Sequence, residues 1–509
     1  MFTHLLTGGR WRVALLLALA LLRLPGVLYG IVDIDESDWM VIGRALGEGW
    51  LPYVDIVETK PFLSYLFYAP AALFGFHLWP MQVLALGWVF ALCLVVGRTA
   101  RLWTNDARTE GIAAWICALA SCANVLSVNA ELMMNLPAAG ALLFLARAQR
   151  PGGGRADDFG AGLCAGLATL FKHQAGIMLV ALLVAAWWHA ARVARRWPVA
   201  RTLSVLAGFA LPWGLVAGFY LALGHWAEFY EWNVERNLYY SGQSVGSALQ
   251  RFAEGLALYV ALASPLWWVL AVRESAGARP DAVRVGAATA LLLAWIPVSL
   301  GGRFYGHYYI QFVPALALLA APRAAALLAR WGELARGLRV TLTLALLIPA
   351  IGWLMVGYIV GFAGLYPGQN TTARELGHWL REHTPPTSKV FLWGHYSPIY
   401  YFAQRLPGSR FQRATSLIGD FDPMHIPEGF DLRPYLSRRD LALTLADLES
   451  RRPEYFVDTT PSNLHGWSKI PLSLIPELER LVATDYEVVA RPARCIVYRR
   501  RLPSGARTP

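Results

Sequence analysis

Apolar stretches of about 17 to 25 residues recur along the chain from residue 11 to residue 362 and then stop. A helix needs a run of that length to cross a hydrocarbon core about 30 Å thick. Hydropathy and helix breakers place candidate spans at 12–31, 80–97, 109–127, 132–147, 159–172, 174–190, 202–223, 252–272, 285–301, 308–322 and 339–362. The chain is 56% hydrophobic and only 16% charged, against roughly 25% charged in soluble proteins. From about residue 366 it turns polar. These features predict a polytopic α-helical membrane protein of about eleven transmembrane helices, residues 1–363, followed by a soluble α/β domain, residues 364–509.

Alternate loops sort by charge. One set holds nineteen arginines, among them Arg10, Arg12, Arg101, Arg147, Arg201, Arg284 and Arg339, whereas the other holds five basic residues, Arg44, Lys60, Lys172, Arg236 and Arg303. The positive-inside rule makes the first set cytoplasmic. Residues 32–79, 224–250 and the C-terminal tail then lie outside, as expected of a multi-pass protein of a bacterial-type plasma membrane with its N-terminus in the cytoplasm. The net charge of +11 is accounted for by this asymmetry and needs no nucleic-acid partner. Arg10 and Arg12 precede an apolar run without a small-residue cleavage site, so that run is read as an uncleaved first span. The five cysteines show no paired spacing and read as small core residues.

The loop 32–79 carries Asp33, Asp35, Glu36 and Asp38 directly after the first span. Alone they could be a solvated acidic cap. The amphipathic stretches 37–46 and 61–74, joined through Gly-Trp-Leu-Pro-Tyr, predict two helices lying at the membrane interface and fixing the acidic turn above the bundle. Glu131 is a second acid, at the mouth of the fourth span beside Asn129 and Asn135. It is either a helix-dipole partner or a functional carboxylate with a partner in a wet cavity. Lys60, Lys172 and Arg303 are outward cations; Arg303 has snorkelling in an aromatic belt as its structural alternative, and together the three offer what a phosphate leaving group needs.

Asp35-Glu36, the Gly-Trp-Leu-Pro-Tyr-Val-Asp that follows, Lys60-Pro61-Phe-Leu and the later Arg-Phe-Tyr-Gly-His-Tyr-Tyr segment resemble the GT-C superfamily of membrane glycosyltransferases. The similarity is to the branch of the protein O-mannosyltransferases and lipid A aminoarabinose transferases. The resemblance implies a transferase that moves a sugar from a polyprenyl phosphate to an envelope glycolipid, polysaccharide or protein. It implies that Asp35, with Glu36 beside it, is the catalytic acid position of the first loop, and that Glu131 is the second acidic position. It also implies that Lys60, and Arg303 with His307 and Tyr308, contact the carrier phosphate. The family usually has two prolines after the lysine; here Phe62 follows Pro61.

Asp35 is then expected to be a general base in a single inverting displacement, with Lys60, Lys172 and Arg303 stabilising the departing phosphate. Clustered carboxylates and His could hold a hard divalent cation, although no ligand spacing compels one. The loop 225–250, with Tyr239 and Tyr240, is a candidate to close over acceptor or lipid. In the tail, helices and strands alternate without a phosphate loop or nucleophile elbow, predicting a small α/β sandwich. The competing reading is a transporter or lipid-linked sugar flippase; against it, the acids gather at one surface and no internal repeat is evident.

Overall fold

The computed structural model describes residues 10–121, 126–194, 198–238, 245–277 and 280–501. All eleven predicted spans fall on helices. Seven are long and apolar enough to cross a membrane, and an eighth forms if Ala248–Leu262 and Pro265–Glu274, bent by 79°, are taken as one span. The chain is thus a multi-pass membrane protein. The other three predicted spans are the helices Arg108–Ala120, Ala130–Ala148 and Arg155–Thr169. The first and third have only 13 and 15 residues, which rise about 20 Å. Glu131, Asn135 and Arg147 dilute the apolarity of the second.

Two sets of loops are tied together separately. Glu110 pairs with both Arg12 and Arg101, Arg147 with Asp157, Arg201 with Asp158 and Arg284 with Glu274. Arg150 reaches Leu102 and Asn105. This is the arginine-rich end of the bundle. Parts of the loop 32–60, Glu131, Lys172 and 303–308 gather elsewhere, beneath the C-terminal segment.

Helices Arg155–Thr169 and Val199–Ala222 meet at glycines. A Cβ on Gly162 would lie 1.9 Å from the Val205 carbonyl oxygen, and one on Gly208 would lie 2.1 Å from that of Phe159. Small residues let membrane helices approach this closely. Gly208→Ala is therefore expected to cost at least about 1–3 kcal/mol, seen as a lower thermal midpoint in detergent; an unchanged midpoint would show that the contact tolerates a methyl group.

The first interfacial helix is observed as Ile34–Leu46, but it does not lie on the surface. Glu36 to Gly43 are buried, because the second stretch covers one side and the C-terminal segment the other. Ser37 Oγ lies 2.9 Å from Ser397 Oγ. The second stretch breaks into Phe62–Phe67 and Ala71–Phe74 around Pro70.

The C-terminal segment holds one five-stranded mixed sheet in the order β2-β1-β3-β5-β4. The strands are β1 (Lys389–Trp393), β2 (Leu406–Pro407), β3 (Tyr455–Asp458), β4 (Tyr486–Ala490) and β5 (Ile496–Arg500). β1 runs parallel to β2 and β3, and β5 antiparallel to β3 and β4. Period-two alternation sends β1 side chains to opposite faces. Val390 and Leu392 join Leu376, Leu380 and Ile399 in a core continuous with the helical bundle. Phe391 and Trp393 enter a second core with Leu441, Leu448, Leu478 and Trp467. Helices therefore cover both faces of the sheet, and one face is bonded to the bundle by a shared apolar core.

Candidate active site

Asp33 caps helix Ile34–Leu46, its side chain accepting from the Asp35 N–H, and Glu36 reaches back to complete a capping box. Glu36 is fully buried. One of its oxygens accepts from the N–H groups of Val32 and Asp33, and the other accepts from Val128. Burial pushes this carboxyl up to about 7 against those three bonds. Glu36 does not line the cavity described below. Paired with Asp35 as a catalytic position by sequence, it is a structural cap here because its side chain turns inward with both oxygens engaged.

Asp38 is also consumed. Its side chain is 3% exposed and ion-paired to Arg413, whose Nε donates to Asp38 Oδ1 at 3.2 Å. Asp35, one turn earlier, remains 34% exposed, with Arg413 Nη2 3.7 Å away. Burial pushes the Asp35 carboxyl up, but Lys60, Arg413, His307 and Lys172 together outweigh it and hold the group below the usual carboxylate range. Asp33 goes the other way: burial raises it despite His307, whose Nδ1 lies 3.5 Å from Asp33 Oδ2.

Asn129 caps helix Ala130–Ala148 and places Glu131 in its first turn. Glu131 is 2% exposed and ion-paired to Lys172, with His307 Nε2 4.0 Å away. Lys172 sits at the break before the short turn His173–Gly176 and rests 4.2 Å over the Tyr308 ring. Lys60 approaches Glu58 at 3.7 Å, and the Tyr53 hydroxyl donates to the Lys60 carbonyl. Arg303 follows Gly301 and Gly302, both with positive φ. There the chain leaves its helix and turns back through His307 and Tyr308.

These elements enclose a cavity of about 870 Å³ lined by Asp35, Glu131, Lys60, Lys172, Arg303, His307 and Tyr308. Seven of the eight described residues singled out by sequence thus meet around one space, and Glu36 does not. Tyr239 and Tyr240 lie outside the described residues. The loop before them is held by Arg236, which stacks 4.0 Å over Trp232 and pairs with Glu231 at 3.0 Å and Asp440 at 2.6 Å.

Sequence reasoning missed the contribution of the C-terminal segment: Arg413, His395, Asp422 and His465 also line the cavity. His395 follows the carboxyl end of buried β1, where α/β sheets bring ligand-contacting groups, and that position was the available signal. Arg413 had none.

The sequence of residues 58–213 matches the family model described as dolichyl-phosphate-mannose-protein mannosyltransferase. That span includes Lys60, Glu131 and Lys172. The crystal structure of ArnT from Cupriavidus metallidurans bound to undecaprenyl phosphate superposes with a TM-score of 0.63 at 14% identity, covering 96% of this chain and 98% of that one. The chain has the fold of the GT-C membrane glycosyltransferases. The archaeal oligosaccharyltransferase AglB from Archaeoglobus fulgidus, in complex with an inhibitory peptide and a dolichol-phosphate, shares it at a TM-score of 0.53 and 13% identity, over 97% of this chain and 75% of that one. No curated protein matches the sequence significantly.

Proposed function

We propose that this protein is an inverting glycosyltransferase that moves a sugar from a polyprenyl phosphate to an envelope acceptor on the extracytoplasmic face. The observation that carries the reading is Asp35, a partly exposed and acid-shifted carboxylate in a cavity ringed by Lys60, Lys172, Arg303 and Arg413. The matched family description and the lipid phosphates named in the two similar structures support the donor class. The separate arginine-rich end supports the orientation, with the cavity outward.

In this mechanism the Asp35 carboxylate takes a proton from an acceptor hydroxyl or amine. The freed oxygen or nitrogen bonds to the anomeric carbon as the bond from that carbon to the phosphate oxygen breaks. The electron pair leaves on the polyprenyl phosphate. Phosphate is already a good leaving group, so cations replace a general acid. Glu131, neutralised by Lys172 and flanked by His307, orients the acceptor side of the cavity. A flippase would need no base poised among cations at a single surface.

Purified protein given a labelled polyprenyl-phosphate sugar and an envelope extract should form a glycosylated product of inverted anomeric configuration, read by NMR. Retention of configuration would exclude the single displacement, and carrier translocation without transfer would favour the flippase. Among the cations that lower Asp35, Lys60 has the largest influence. A base works in its ionised form, so Lys60→Met should raise the Asp35 pKa and move the acid limb of the kcat/KM profile to higher pH. An unmoved limb would detach Lys60 from Asp35.

A further inference from the structure

Three ligand-bearing side chains of the C-terminal segment converge on the roof of the cavity from separate loops. His395 lies just past β1. Asp422 precedes the turn Pro423–His425, and its side chain accepts from the Met424 N–H at 3.0 Å. His465 lies in the turn Leu464–Lys469. Gly466 lets the last two loops meet, since a Cβ there would stand 2.9 Å from the Pro423 carbonyl oxygen. The imidazoles of His395 and His465 stack with centroids 4.8 Å apart, and His465 Nε2 is 3.5 Å from Asp422 Oδ1. One ligand atom from each of the three lies within 4.8 Å of the others. Buried His395 Nδ1 has no hydrogen-bond partner among the described residues, and a buried polar atom left so calls for an explanation.

We propose that His395, Asp422 and His465 bind a divalent transition-metal ion of the zinc class, with an open coordination position facing the cavity. Two imidazoles and one carboxylate are a donor set that suits zinc, and three protein ligands with a vacant fourth position are the pattern of sites that also bind a small ligand. Tetrahedral zinc with bonds of about 2.0–2.1 Å holds its ligands about 3.3 Å apart, so no pair has to close by more than roughly 1.5 Å. That is within the reach of side-chain rotation on these loops. The stacked imidazoles and the nearby carboxylate otherwise leave a nitrogen without a bond, whereas an ion among them uses all three groups. This ion is separate from any hard cation the Asp33, Asp35 and Glu131 carboxylates could hold. Its open position would present a positive charge to an acceptor oxygen; that further role rests on the transferase reading, while metal binding does not.

The full chain, purified in detergent, stripped with a chelator and then exposed to zinc alone, should retain one equivalent after desalting, measured by elemental analysis. His395→Ala and Asp422→Asn should each lower zinc affinity more than about 100-fold, while Asp35→Asn keeps it. Cobalt in place of zinc should give the visible absorption of a tetrahedral site in the unmodified protein and lose it in Asp422→Asn, a readout that also checks folding when paired with an unchanged thermal midpoint. Wild-type protein that retains no zinc, or ligand variants that retain it fully, would overturn the site. Loss on Glu131→Gln but not on His395→Ala would move the ion to the acidic cluster and equally overturn it. Each of these results is read without sugar transfer, so failure of the metal site and failure of the transferase reading remain distinct.

Discussion

Asp35→Asn is expected to lower sugar transfer by about three orders of magnitude, within the range that a positioned base contributes, and to leave the fold intact. The Asp35 carboxylate makes no hydrogen bond among the described residues, only the 3.7 Å approach of Arg413; its backbone N–H is what holds the cap of Asp33. The amide gives up the attraction of the surrounding cations but strands no buried hydrogen bond, so it should lower the thermal midpoint less than Glu36→Gln while removing the proton acceptor. Glu36→Gln should behave oppositely. It weakens a buried acceptor of three N–H groups and should cost about 1–3 kcal/mol of stability. Transfer and thermal unfolding measured on both variants separate the roles, and near-normal turnover by Asp35→Asn would end its assignment as the base.

The second large effect concerns the buried pair of Glu131 and Lys172. Lys172→Met leaves an enclosed carboxylate that has lost its ion-pair partner, with the His307 imidazole 4.0 Å away, and breaking a buried pair from one side costs about 3–5 kcal/mol. The double variant Glu131→Gln with Lys172→Met should recover most of that stability because no charge remains stranded, yet its transfer rate should stay down by orders of magnitude. Thermal midpoints of the two single variants and the double variant give the coupling. Full additivity would mean that the two groups do not depend on each other, and recovery of turnover along with stability would remove both from the chemistry.

The bundle was legible because membrane spans announce themselves by length and apolarity, and the arginine bias sorted their connections. The surroundings of each helix were less so: Arg108–Ala120 and Arg155–Thr169 are short helices with most of their residues buried, which a sequence window cannot tell from helices facing lipid. Asp35 and Glu36 are adjacent in sequence, but successive helical residues point about 100° apart; the Asp33-x-x-Glu36 spacing of a capping box was the clue that Glu36 belonged to the helix end. Glu131 with Lys172 was visible as two isolated charges, although their pairing was not. Arg413 and Asp38 meet across a separation of 375 residues, and no local pattern records such a contact. The same holds for His395, Asp422 and His465, which lie on three loops and gain meaning only when the sheet is assembled.

That long-range contact bears on when the protein becomes active. When Phe362 has been added to the growing chain, the residues of the helical bundle, the acidic turn and Lys60, Lys172 and Arg303 have all been synthesised. The guanidinium that clasps Asp38 and approaches Asp35 has yet to be synthesised, as has the roof of the cavity. Competence for the proposed chemistry therefore arrives late in biosynthesis, with the docking of the C-terminal sheet. On the proposed function, a product truncated after Phe362 would lack Arg413 and the roof of the cavity, and would not turn over a lipid-linked donor through a half-built site.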